Sequence, residues 1–185
     1  MSNETRRIEY RPSLPEIDFS RNKAILLLRH GEPDNPQGIV YNRDDVMDAA
    51  DIIHLSNLGR IQIDKLAQVI IGTGLKVSFV AHSPAIRVKE SLQVLGDYLN
   101  LSAAAIKELE AANDVFAPGP YKTGLTMTEF AQAGGNTHDP RWLHYDHESP
   151  YSVTERMLLA LRMVIKNINP GEAGIILSHG DPIAW

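Results

Sequence analysis

Five consecutive apolar residues, Ala24-Ile-Leu-Leu-Leu28, stop at Arg29-His30-Gly31, and this junction constrains the chain more than any other stretch. A short continuous apolar run closed by turn residues suits a strand buried on both faces of a parallel sheet. In open α/β sheets, ligands bind just beyond the carboxyl ends of such strands. Arg29 and His30 fall there, and Gly31 lets the backbone turn or approach a ligand closely. One histidine at a strand end is more often a satisfied structural residue than a catalyst. Here the pattern recurs. Residues 173–180 read Ala-Gly-Ile-Ile-Leu-Ser-His-Gly, and residues 77–81 run into His82-Ser83-Pro84-Ala85-Ile86-Arg87. Three strands are thus expected to deliver histidine and arginine to one edge of one sheet.

The chain has 185 residues, 43% of them hydrophobic, which suits one domain with a full core. It contains no cysteine, so disulfide frameworks and thiolate metal sites are excluded. No apolar stretch approaches the roughly 20 residues of a membrane helix, and the polar N-terminus has no signal-peptide character. A formal charge of -5 argues against a nucleic-acid binder. It leaves room for a small anionic substrate, because a local arginine cluster dominates a pocket whatever the net charge. A soluble cytoplasmic protein is expected, with a homodimer left open.

Residues 1–22, with Arg6, Arg7, Arg11, Pro12 and Pro15, read as a polar extension, and residues 23–185 as a single domain. Ser56 is a plausible N-cap for a helix whose apolar face is Leu58, Ile61, Leu66, Val69 and Ile70. Ser83 and Pro84 read as the N-cap and first residue of a second helix. Arg87, one turn in, then points back to the strand tips; the plain alternative is a surface pair with Glu90. Residues 101–110 are ambiguous, alanine favouring helix and the alternating order favouring a short edge strand. Residues 113–150 change texture and read as an insertion that covers a site, with a short helical candidate at 126–133. Its His138, His144 and His147 lack metal-ligand spacing. Residues 152–168 form an amphipathic helix. After the third strand, Asp181-Pro182 starts a helix that only three residues follow, as a truncated C-terminus would give.

Several motifs in order resemble the histidine phosphatase superfamily, also called phosphoglycerate mutase-like. They are Leu-Leu-Leu-Arg29-His30-Gly31-Glu32, Leu55-Ser-Asn-Leu-Gly59-Arg-Ile-Gln62, Ser83-Pro84-Ala-Ile-Arg87, Glu148-Ser149 with Arg156, and Ser178-His179-Gly180. Asn35-Pro-Gln-Gly38 is similar to the family's Asn-x-x-Gly, one residue nearer the histidine, and Pro33 stands where Thr or Ser is common. The resemblance implies an α/β three-layer sandwich, its mostly parallel central sheet flanked by helices.

For function it implies phosphomonoester hydrolysis through a phosphohistidine on His30, without metal or other cofactor. Arg29, Arg87 and Asn35 would bind the phosphate, and His179 would donate to it. Neighbouring arginines disfavour an imidazolium and keep His30 nucleophilic. They also stabilise a transition state that needs mostly positioning and electrostatics. A carboxyl group must protonate the leaving alkoxide; Glu108, in Ile106-Lys107-Glu108, is preferred over Glu110. Two rival readings are a cofactor-dependent phosphoglycerate mutase and a non-catalytic phosphate- or phosphoprotein-binding module. Tyr121, Trp142 and Tyr145 of the insertion are expected to shape the leaving-group pocket.

Overall fold

In the computed structural model, residues 20–40, 52–116, 125–132 and 148–184 are described. The elements in order are β1 (Ala24–Arg29), β2 (Ile39–Val40), α1 (Asn57–Gly72), β3 (Lys76–His82), α2 (Ile86–Leu99), β4 (Ile106–Glu108), β5 (Leu125–Thr126), α3 (Met127–Gln132), α4 (Pro150–Asn167), β6 (Glu172–Ser178) and α5 (Gly180–Ala184). One sheet has the spatial order β1-β6-β3-β4, every pairing parallel. β2 and β5 form a separate antiparallel pair. None of the described helices is long and apolar enough to cross a membrane.

The period of two along a strand sorts side chains onto opposite faces, and this makes the sandwich. Val80, Ile175 and Leu177 face one way and pack, with Leu26 and Leu28, against α1 and α2. Phe79, Ala81 and Ile176 face the other way and pack against Val153, Met157, Ala160 and Val164 of α4. Both faces of the sheet are therefore covered, as the α/β expectation requires.

Three local expectations change. β1 is an edge strand, with Leu27 42% exposed; the strand buried on both faces is β6, where residues 173–178 are all buried. An apolar run reads alike in either place, because topology decides which strand has two neighbours. Secondly, α2 begins at Ile86 with Ala85 at its N-cap, two residues later than Ser83-Pro84 indicated. The Ser83 hydroxyl is turned instead toward His179 and Asn113. Thirdly, residues 101–110 hold both alternatives: a 3-10 turn at Ala103–Ala105, then the three-residue β4. α4 starts at Pro150 with Ser149 as N-cap, its Oγ accepting from the Ser152 N–H.

The start of α1 is welded to the segment after β1. Ser56 Oγ accepts from the Gly59 N–H at 2.9 Å, and the Ser56 N–H donates to the Glu32 carbonyl at 2.9 Å. Gln62 Oε1 accepts from the Glu32 N–H at 2.8 Å. This contact requires two facing glycines. A Cβ on Gly59 would stand 2.3 Å from the Glu32 carbonyl oxygen, and one on Gly31 would stand 2.4 Å from that of Gly59. Backbone cannot yield cheaply, so Gly59→Ala is expected to cost at least the usual overpacking penalty of about 1–3 kcal/mol. Urea unfolding at neutral pH measures it; an unchanged midpoint would show that the segment relaxes.

Candidate active site

Each central strand ends in a polar group at the same edge of the sheet. Arg29 closes β1 and His30 follows it, His179 follows β6, and Arg87 is reached through β3 and the first turn of α2. The His30 and His179 rings meet edge-on, with centroids 5.2 Å apart and planes at 68°. Arg87 is 3% exposed and lies between them. Its Nε is 3.4 Å from His30 Nε2, and its Nη2 is 3.1 Å from His179 Nδ1. The surface pair with Glu90 does not form: Glu90 binds Arg60 and His54 and accepts the Leu55 N–H. Arg29 lays its guanidinium beside Gly180 and lines a hollow of about 220 Å³ with His30, Gly31, Glu32, Pro33 and Gln62.

Hydrogen-bond partners fix the tautomers. His30 Nδ1 is 2.6 Å from the Gly31 carbonyl, an acceptor only, so Nδ1 carries the proton and Nε2 keeps its lone pair. His179 is the reverse. The Arg87 N–H faces its Nδ1, so the proton sits on Nε2 and is donated to Ser83 Oγ at 2.8 Å. His82, also buried, donates from Nδ1 to the Ser83 carbonyl at 2.8 Å.

The carboxylates sit elsewhere than the sequence indicated. Glu108, at the tip of β4, has a half-exposed side chain paired with Lys89 at 2.8 Å. That lysine holds its carboxyl below the usual range, the wrong direction for a general acid. The carboxylate that reaches the imidazoles is Asp114, whose Oδ2 lies 3.3 Å from Arg87 Nη2 and 3.5 Å from His179 Nδ1. Asp114 shares a cavity of about 370 Å³ with Glu110, Ala111, Asn113, Phe116, Glu148 and Arg156. Asn35, expected on phosphate, spends its amide on its own turn: Nδ2 donates to the Ile39 carbonyl and Oδ1 accepts the Ile39 N–H. His138, His144, His147, Tyr121, Trp142 and Tyr145 lie outside the described residues.

Arg156 explains why that turn stays in place. Its five N–H groups meet five acceptors: both Glu148 oxygens and the carbonyls of Ala111, Asn113 and Asp114. The Glu148-Ser149 and Arg156 motif therefore clamps the irregular turn after β4 onto α4. Asp114 and Asn113 escape sequence reasoning because nothing periodic marks a turn held by a distant guanidinium. The neighbouring Asn113-Asp114 pair is the one signal in the chain.

Burial is the first cause of the site's electrostatics. It lowers His30 to about 3, with Arg87 and then Arg29 adding to the effect against the Gly31 hydrogen bond. Burial, then Arg87, likewise holds His179 well below its ordinary value. Burial raises Asp114 against the pull of Arg87, the Val115 N–H, Arg156 and Arg29. Two neutral imidazoles thus surround a buried cation, an arrangement suited to a tetrahedral dianion.

Comparison with known proteins identifies the family and the fold. Residues 25–185 match the family described as histidine phosphatase superfamily (branch 1), and the chain belongs to that family. A mycobacterial glucosyl-3-phosphoglycerate phosphatase structure is similar at 20% identity and TM-score 0.64, over 85% of this chain and 74% of that one. A phosphoserine phosphatase from Entamoeba histolytica, solved with 3-phosphoglyceric acid, is similar at 21% identity and TM-score 0.61, over 88% and 76% of the two chains. A Mycobacterium tuberculosis open reading frame product is similar at 23% identity and TM-score 0.61, over 86% and 75%. At such identities the likeness concerns the fold. No curated protein matches the sequence.

The lowered histidines have a consequence for stability. In the unfolded chain each binds a proton below about pH 6.5, while in the fold His30 stays neutral down to about 3. Between those values the unfolded state holds more protons, so stability falls as pH falls, by at most about 1.4 kcal/mol per pH unit for each histidine. Asp114, raised by burial, works in the opposite sense. The pH dependence of the unfolding free energy from pH 7 to 4.5 is expected to be shallower in His30→Gln than in the parent. Equal slopes would mean that His30 is protonated in the fold.

Proposed function

We propose that this protein is a phosphatase that hydrolyses a small phosphomonoester through a phosphohistidine on His30. The observation that carries the reading is the single buried guanidinium of Arg87, set against Nε2 of His30 and Nδ1 of His179 at once. A phosphoryl group that takes over that guanidinium, with Arg29, presents phosphorus to an unprotonated nitrogen whose lone pair is held only by a 3.4 Å contact from the Arg87 Nε–H. Nε2 attacks in line, the N–P bond forms and the P–O bond to the leaving alcohol breaks. The positive charge left on the ring is tolerated because Nδ1–H keeps its bond to the Gly31 carbonyl. Water then attacks phosphorus, the N–P bond breaks, and the electron pair returns to Nε2. Both steps need positioning and charge stabilisation more than covalent help.

The leaving alkoxide needs a proton, and the attacking water must lose one. We assign that exchange to Glu110 in place of Glu108. Glu110 opens the 3-10 turn after β4 and lines the cavity that Asp114 also lines. Asp114 is held between Arg87 and His179 and serves as counter-charge to Arg87. The phosphatase names of the structural relatives are consistent with this reading.

Hydrolysis of p-nitrophenyl phosphate in the presence of a chelator, with vanadate as inhibitor, is the direct assay. His30→Ala is expected to lose at least about a thousandfold in kcat, since no other nucleophile is in place. A brief pulse of labelled substrate should leave acid-labile, base-stable label on the parent and none on the variant. Turnover by His30→Ala within tenfold of the parent overturns the assignment.

The acid has its own signature. Glu110→Gln is expected to lose about a hundredfold on an alkyl phosphate yet far less on p-nitrophenyl phosphate, whose leaving group needs no proton. Glu108→Gln should match the parent on both. The converse pattern would return the role to Glu108.

A further inference from the structure

A chain of buried hydrogen bonds behind His179 has no part in the reaction as drawn. His179 Nε2–H donates to Ser83 Oγ at 2.8 Å, and the Ser83 hydroxyl donates to Asn113 Oδ1 at 3.2 Å. The same Asn113 oxygen accepts the Asp114 N–H at 2.9 Å, which fixes which end of the amide is which. Its Nδ2 then points the other way and donates to Glu110 Oε2 at 3.3 Å. Ser83 is fully buried, His179 is 1% exposed and Asn113 is 5% exposed. An unmade bond here would leave a desolvated polar atom, so the chain is strongly determined.

We propose that Ser83 and Asn113 are positioning residues of the site: together they hold the His179 proton on Nε2, leaving Nδ1 bare toward the phosphoryl position, and they align Glu110 from the other end of the same amide. The inference rests on the proposed phosphatase reading for its kinetic consequences, though not for its structural ones. A serine-proline pair before a helix reads as a cap, but this hydroxyl also accepts only a 3.2 Å contact from the Ala85 N–H. Its shortest bond is to His179. The unprotonated Nδ1 accepts from the Arg87 Nη2–H at 3.1 Å. When a phosphoryl group enters, its negative charge favours a proton on Nδ1 as well, carried in by the monoanionic ester or by solvent. His179 then becomes an imidazolium that donates to the phosphoryl oxygen from Nδ1 and to Ser83 from Nε2. With the proton fixed on Nε2 beforehand, that change needs no tautomer exchange during turnover.

The groups facing His179 bear on its titration. Arg87 comes from α2, His30 and Arg29 from the end of β1, Asp114 from the turn after β4, and Arg156 from α4. The cations and the burial oppose its protonation, and Asp114 favours it. Asn113→Asp is nearly isosteric and sets a new negative charge beside Ser83. It should stabilise the imidazolium and repel the Glu110 carboxylate.

The test joins a spectroscopic and a kinetic readout. Imidazole 15N correlation spectra of the labelled protein should show His179 as the Nε2–H tautomer at pH 7, independently of activity. Ser83→Ala should shift that population toward Nδ1–H and lower kcat about tenfold or more while KM changes less than threefold. Asn113→Asp should move the alkaline limb of kcat/KM for p-nitrophenyl phosphate upward by about one pH unit, the effect of one charge at this range. An Nδ1–H tautomer in the parent overturns the proposal even if neither variant folds. So does an unchanged tautomer in folded Ser83→Ala together with an unmoved profile in Asn113→Asp. Absence of any hydrolysis by the parent would instead remove the phosphatase reading and leave the tautomer result standing.

Discussion

Everything at the strand tips depends on burying one guanidinium. Arg87 is almost wholly removed from solvent, and a buried charge is tolerated only when paired and hydrogen-bonded. Its neighbours meet that demand in a particular way. Two imidazoles offer it nitrogen lone pairs and Asp114 offers a carboxylate. A protonated His30 or His179 would place cation against cation in a low dielectric, so both rings stay neutral. The neutrality of His30 therefore follows first from its own burial and then from the buried cation beside it. Asp114 stands where an anionic ligand would gain most, beside Arg87 and His179. Incoming phosphate would compete with that carboxylate for the same donors, which ties ligand binding to a change in the charge state around His179.

Holding these groups within about half an ångström is a matter of backbone, because their side chains are short or pinned. His30 is fixed by its bond to the next carbonyl, and the turn after it is fixed by the contact between Gly31 and Gly59. The Gly31 N–H donates to Ser91 Oγ, and that hydroxyl donates to the Arg87 carbonyl. The segment carrying His30 is thereby tied to the helix carrying the guanidinium. On the other side, Arg156 gathers three carbonyls of the turn that bears Glu110, Asn113 and Asp114. The two clamps lie on opposite faces of the sheet, one with α1 and α2 and one with α4, so the site is set by the three-layer packing as a whole.

The half of this site that lies on regular structure was legible in the sequence. His30, His179 and Arg87 each follow an apolar run, and such a run places its last residue at the sheet edge whatever else the chain does. The other half was not. Glu108 and Glu110 are two positions apart and share one face of a strand, so alternation cannot separate them, and Lys89 captures Glu108 from a neighbouring helix. The Ser83-Pro84 pair carried a genuine helix-start signal, yet the hydroxyl went to a histidine 96 positions away. Asn35 matched a family pattern, but its amide satisfies the turn it sits in. For Glu108 and Ser83 a partner distant in sequence outweighed a local preference of about 1 kcal/mol, whereas for Asn35 the local turn itself took the amide.

Sheet order gives the arrangement its chemical direction. The strands run β1-β6-β3-β4, and along that line come His30, then His179, then Arg87, then the turn with Glu110 and Asp114. Adjacent strands are about 4.8 Å apart, so His30 and the carboxylates originate roughly 14 Å from each other. Arg87 and Asp114 meet His179 over the two central strands. In-line displacement needs the entering nitrogen and the departing oxygen on opposite sides of phosphorus. On the proposed mechanism, a parallel sheet with these groups at one edge would supply that axis: entry from the β1 side, departure toward the β4 side. The cavity lined by Glu110, Phe116 and Glu148 lies toward the β4 side, which on the proposed mechanism is where the alcohol would be read, with the phosphoryl group held at the centre.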